Sequence, residues 1–90
     1  MEHFVVESTI SQPLGQEAES RTAKEIDASL EKSGGRWLRS YYSPDHRRVI
    51  CEFLAVGEEA LQKAYVGAGV PFDVIWRAEV FASESAPETA

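Results

Sequence analysis

The chain reads as an α+β domain in which a four-stranded antiparallel sheet carries two helices on one face. Three observations predict this. The apolar pattern changes period in the order strand, helix, strand, strand, helix, strand. A Pro-Asp turn joins the two middle strands and makes them a hairpin. Ninety residues with 43% hydrophobic content supply one core and no room for a second. Right-handed crossovers then put both helices on the same face. Strands 1 and 3 are central, strand 4 lies beside strand 1, and strand 2 lies beside strand 3. This is the ferredoxin-like βαββαβ arrangement.

Each element has a local reason. HFVVESTI, residues 3–10, is β-branched and aromatic and is bounded by SQP, so it is predicted as strand 1. Leu14, Ala18, Ala23, Ile26 and Leu30 recur at helical spacing and mark one apolar stripe. Ser11 and Pro13 are its start signals, and Gly34-Gly35 is its stop. The remaining face of this helix, with Glu17, Glu19, Glu25, Asp27 and Glu31, is expected to be solvated, with Lys24 and Lys32 in pairs at helical spacing. RWLRSYY, residues 36–42, is strand 2, and RRVICEFLAV, residues 47–56, is strand 3. A second helix is expected over residues 58–66, with Ala60, Leu61 and Ala64 inward, closed by Gly67, Gly69 and Pro71. FDVIWRAEVFA, residues 72–82, is strand 4. The domain therefore spans residues 1–82, and SESAPETA, residues 83–90, reads as a mobile tail.

Composition excludes several partners. A net charge of −6 and a pI near 4.8 argue against nucleic acid, which is recognised through a basic patch. The single cysteine, Cys51, rules out an internal disulfide and fits a reducing compartment. No apolar run approaches membrane-spanning length and no signal-peptide pattern opens the chain, so a cytoplasmic protein is expected.

The sheet has a second face, and its composition is unusual. Alternation assigns Phe4, Val6 and Ser8 of strand 1 to the helix side, with Val49, Cys51, Phe53 and Ala55 of strand 3 and Val74, Trp76, Ala78 and Val80 of strand 4. The other side then carries Glu7, Arg39, Glu52, Arg77 and Glu79 among Val5, Trp37, Tyr41, Ile50, Leu54, Ile75 and Phe81. A face meant for water would not hold so many large apolar groups. A sealed core would not hold five charges. A second copy of the same face accommodates both. Glu52 is expected between Arg39 and Glu7, with Arg77 beyond Glu7, as alternating signs across strands would require.

Several residues resemble a known family. Trp37-x-x-Ser40-Tyr41, then Asp45 after the turn, then Cys51-x-Phe53-x-Ala55 is similar to the signature of a family of small, mostly uncharacterised ferredoxin-like domains. Phe4-Val5-Val6-Glu7, Glu59-Ala60, and Gly69-Val70-Pro71 followed by Ile75 extend the likeness over roughly residues 4–82. The family includes nickel-binding proteins that form dimeric α+β barrels, two sheets packed face to face. The resemblance implies a homodimer and makes nickel a candidate cofactor. Metal-binding relatives carry one histidine two positions after the tryptophan and another in the second helix. This chain has Arg39 at the first place and, at about the second, Ala64 beside Tyr65. A guanidinium does not deprotonate to become a ligand, so nickel affinity is expected to be weak or absent. His3 and His46 are the remaining candidate metal ligands, and neither has a partner at i, i+4.

Each chemical reading has a plainer competitor. Cys51 in an apolar strand face is expected to be core rather than a nucleophile or soft-metal ligand. His46 in SPDHRR is expected to be a turn residue rather than a proton shuttle. The Trp37 and Tyr41 aromatics seal an interface or form a stacking platform for a flat ligand. Glu7 and Glu52 are expected in ion pairs with Arg39 and Arg77, against an acid/base pair. No phosphate loop, zinc spacing or nucleophile elbow is present. Two functions follow. The first is a homodimer that holds a small ligand or metal ion between its sheets, or is purely structural, with Glu7, Trp37, Arg39, Tyr41, Glu52 and Arg77 as ligand-binding or interface residues. The second is a small cofactor-independent enzyme of the monooxygenase or isomerase kind, with its site in the sheet-face cavity, a reading that rests on fold analogy.

Overall fold

The computed structural model describes residues 1–83, and the predicted tail lies outside the described residues beyond Ser83. The elements follow the predicted order: β1 (Glu2–Thr9), α1 (Gln16–Glu31), β2 (Arg36–Tyr42), β3 (Arg48–Ala55), α2 (Glu58–Ala68) and β4 (Val74–Arg77). They form one sheet in the order β2-β3-β1-β4, all neighbours antiparallel, with the expected central and edge strands. Among the described residues no helix is long and apolar enough to cross a membrane.

The core lies between the helices and one face of the sheet. Phe4 and Val6 from β1, Phe53 and Ala55 from β3, Ile26 and Leu30 from α1, and Leu61 and Tyr65 from α2 are all buried there. Tyr65 stands edge-on to Phe53 at 5.9 Å and to Phe72 at 5.7 Å, the favoured geometry for aromatic quadrupoles. The α1 stop works through close approach. A Cβ on Gly35 would sit 2.6 Å from the Leu54 carbonyl oxygen, so the chain can cross β3 there only without a side chain.

The hairpin turn after β2 is built as its residue types suggest. Asp45 Oδ1 accepts from the Ser43 hydroxyl at 2.7 Å and from the Arg47 amide at 3.1 Å. These donors hold the Asp45 carboxyl below its ordinary pKa, the Ser43 hydrogen bond most of all. His46 takes the left-handed conformation, φ 58°, and its amide closes the turn on the Ser43 carbonyl at 2.8 Å.

Three predictions about elements need correction. α1 begins later than expected, with Gly15 as its N-cap, and Leu14 is exposed rather than part of the apolar stripe. β4 is four residues long and ends at Arg77, so Glu79, Val80 and Phe81 stand outside the sheet. The acidic face of α1 is not uniformly solvated. Glu19 is buried against His46, and Asp27 is half-buried and accepts from the Trp37 amide at 2.7 Å. Among the described residues Lys24 and Lys32 have no ion pair, and the helical-spacing pair on α1 is Arg21 with Glu17.

Candidate functional site: the open face of the sheet

The strand register places two rows of side chains on the face away from the helices. Arg39, Glu52, Val5 and Trp76 lie across the four strands in one row. Tyr41, Ile50, Glu7 and Val74 lie in the next. His3 shares the face, opposite Leu54. Arg39, Tyr41, Glu7 and Glu52 are therefore where alternation put them.

Two residues are not. Trp37 pairs with Phe53 and packs against the core on the helix side. Its alternation with Arg39 is broken by a bulge: Trp37 faces Phe53 and Arg39 faces Glu52, which leaves Leu38 as the extra residue. Arg77 is the second. The β1–β4 register sets Ile75 opposite Val6, so Ile75 joins the core and Trp76 turns to the open face. The parity of β4 is thus the reverse of the expected one. Arg77 lies opposite Phe4 and pairs with Glu2 at 2.9 Å instead of with Glu7. A strand ending at Arg77 leaves that guanidinium free to reach solvent from the sheet margin, so no charge is buried by this choice.

Glu52 is the hub of the face. Arg39 Nε lies 2.8 Å from Oε1, the Tyr41 hydroxyl donates to Oε1 at 3.3 Å, and His3 Nε2 is 3.5 Å from Oε2. The Arg39 contact is ionic by distance only. Its Nε–H is not aligned with the carboxylate, and both Arg39 Nε and His3 Nε2 are buried without a hydrogen-bond partner among the described residues. Glu7 is held separately, by the Trp76 indole N–H at 2.9 Å rather than by an arginine. Around these groups Tyr41, Val74 and Trp76 are about half exposed. Val5 is already buried on this face. The arrangement is a polar cluster inside a rim of large, uncovered apolar and aromatic side chains.

Cys51 and His46 belong elsewhere. Cys51 is on the helix side, where the Trp37 indole donates to Ser40 Oγ at 2.9 Å and the Ser40 hydroxyl donates to Cys51 Sγ at 3.0 Å. Burial pushes the Cys51 thiol up, and hydrogen bonds from Ser40 and Tyr65 oppose this without reversing it, so the group is a protonated thiol near neutral pH. His46 Nδ1 meets both Glu19 oxygens, at 3.0 and 3.1 Å. Glu19 was missed as a partner because the contact joins a helix to a distant turn, and no local pattern signals it.

Comparison with known proteins bears on the fold and the family. The family model "Nickel responsive protein SCO4226-like" matches residues 4–78. The crystal structure of SCO4226 from Streptomyces coelicolor A3(2) superposes with a TM-score of 0.69 at 20% identity, covering 89% of this chain and 99% of that one. At that identity the likeness shows the fold alone. No curated protein matches the chain.

The family's name raises nickel, and the donor set of this chain does not fit it. Nickel favours imidazole nitrogens gathered at one point. Here His3 is held at Glu52 on the open face, while His46 is held at Glu19 by the turn. Among the described residues no three His, Cys, Asp or Glu side chains converge within the chain. The cation beside Glu52 is already supplied, by Arg39.

Proposed function

The chain belongs to the nickel responsive SCO4226-like family, and from that premise we propose that it works as a homodimer packed through the open sheet face, with a small-ligand site at the Glu52 cluster between the two sheets. One observation carries the reading: polar groups with unfilled hydrogen-bonding capacity sit inside an uncovered apolar rim. Arg39 Nε and His3 Nε2 face Glu52 at 2.8 and 3.5 Å, yet neither makes an aligned hydrogen bond among the described residues, and Tyr41, Val74 and Trp76 present their apolar surface around them. Tryptophan, tyrosine and arginine are the residues that most often anchor interfaces. A second sheet laid on this face would exclude water from the rim and leave the cluster enclosed, where a small polar ligand could complete the hydrogen bonding of Arg39 and His3. The acids of the face support binding over acid/base chemistry, since Glu52 is held by Arg39 and Tyr41 and Glu7 by Trp76.

Sedimentation equilibrium at micromolar concentration tests the assembly, and native mass spectrometry of the same sample tests the ligand. An obligate interface of this kind buries on the order of 1,500 Å² or more, so the expected mass is that of two chains. Trp76→Glu, which sets a charge in the centre of the rim, should give a folded single chain. A wild-type monomer at these concentrations refutes the assembly. A dimer that never retains a small molecule refutes the ligand site and leaves a structural dimer.

A further inference from the structure

The side of the sheet away from the open face contains a cavity that the proposed function does not use. It lies between α1, α2 and the sheet and has a volume of about 530 Å³. Ile10, Ser11, Gln12 and Leu14, from the irregular segment that joins β1 to α1, are among its lining residues. Its walls are mainly apolar, with Ile26, Val49, Phe53 and Val70 among them. That volume and lining are those of a small-molecule site rather than of a packing defect.

The polar groups on the wall point to a ligand. Ser8 is 3% exposed and lines the cavity, and its hydroxyl bonds to no described residue, which leaves it open to whatever occupies the cavity. The Tyr42 hydroxyl on the same wall also bonds to no described residue, and burial pushes its pKa up to about 12. The charge on the wall restricts the ligand further. Glu19 is the one charged residue lining the cavity among the described residues, and it is already held by His46 at 3.0 Å. With a carboxylate present and no lysine or arginine, an anionic ligand would be both repelled and unpaired.

We propose that this helix-side cavity is a binding site for an uncharged, mainly apolar molecule bearing one hydroxyl group, an alcohol or phenol whose hydroxyl pairs with Ser8 while its apolar body lies against Ile26, Val49 and Phe53. Apolar surface dominates the walls, so displacing solvent from it by an apolar body is favourable. The site is independent of the dimer reading, because the sheet separates the two.

The experiment is a titration of the full chain at pH 7 with straight-chain 1-alkanols of six to ten carbons and with the matching alkanoates, read by calorimetry and by amide chemical shifts. The alcohols should bind saturably, about fourfold more tightly per added methylene until the cavity is filled. The shifts should centre on Ser8, Val49 and Val70 and leave Val5 and Trp76 unmoved. The alkanoates should bind at least about tenfold more weakly. Ser8→Ala should weaken the alcohols about fivefold. Ala23→Phe, which fills the cavity from α1, should abolish binding in a chain whose circular dichroism is unchanged. If that variant does not fold, Ala68→Leu from α2 serves the same purpose. Three results overturn the proposal: no saturable alcohol binding up to the solubility limit, undiminished affinity in a folded cavity-filling variant, or shifts centred on the open face. Alkanoates binding as tightly as alcohols would overturn the assigned ligand class.

Discussion

Replacing Arg39 by methionine removes the cation from the Glu52 cluster while keeping most of the side-chain volume. The cost can be bracketed from the geometry. Two unit charges 2.8 Å apart attract by about 1.5 kcal/mol in a water-like medium and about 6 kcal/mol at an effective dielectric near 20. The side chains retain 31% and 21% exposure in the single chain, so water still screens the pair and the net loss there should be about 1–2 kcal/mol. Covered by a second sheet, the stranded Glu52 would cost about 3–5 kcal/mol. The difference, about 2 kcal/mol for each of the two chains, should appear as a dimer dissociation constant weakened roughly a thousandfold. Adding Glu52→Gln removes the stranded charge and should recover part of the loss, since contacting residues are not additive. Urea unfolding at two protein concentrations, run over the full double-mutant cycle, separates the fold term from the assembly term. If Arg39→Met costs less than about 0.5 kcal/mol and the double variant is additive, the pair is an ordinary surface contact and the hub has no role. Near-normal stability with loss of a co-purified ligand would instead assign Arg39 to binding.

Two further outcomes are expected. Calorimetric titration of the tag-free chain with nickel at neutral pH should show no saturable submicromolar binding, and binding abolished by changing His3 or His46 would refute this. In an alkaline titration read at 295 nm, Tyr42 and Tyr65 should ionise late, because burial raises both, Tyr42 to about 12. The sign follows from linkage: a phenol whose pKa is raised on folding favours the protonated state, so its contribution is intact below the unfolded pKa near 10 and is lost as pH rises from there towards 12. Stability that rose over that range would contradict the burial of these rings.

The fold was legible because its signals are local and agree with one another. Gly34-Gly35 stops α1 where the chain must pass the Leu54 carbonyl, and Ser43 and Asp45 close a turn between two strands of matching length. The strand order followed from handedness alone. The site was less legible, because its residues depend on parity, and parity is lost wherever a strand bulges or ends early. β4 is the simpler case. Residues 72–82 look like one alternating strand, but the strand is only Val74–Arg77, with the Asp73 and Ala78 amides donating to β1 at its ends, and over four residues the core is decided by Ile75 opposite Val6.

β2 shows how such a break could have been suspected. In RWLRSYY neither parity is cleanly apolar: Trp37, Arg39 and Tyr41 mix charge with aromatics, and Leu38, Ser40 and Tyr42 mix a hydroxyl with them. A strand buried on one face should separate these classes, so the mixture is itself the mark of an inserted residue. The insertion at Leu38 has a chemical consequence on each side of the sheet. It lets Trp37 turn inward, where its indole N–H satisfies Ser40 and, through the Ser40 hydroxyl, the half-buried Cys51 sulfur. It also leaves Arg39 and Tyr41 outward, where both reach Glu52. Without the extra residue, strict alternation would carry Trp37 to the same face as Arg39, removing an aromatic from the core and an anchor from the Ser40–Cys51 chain of hydrogen bonds. The bulge is therefore what allows one short strand to serve the packed side and the open side at once.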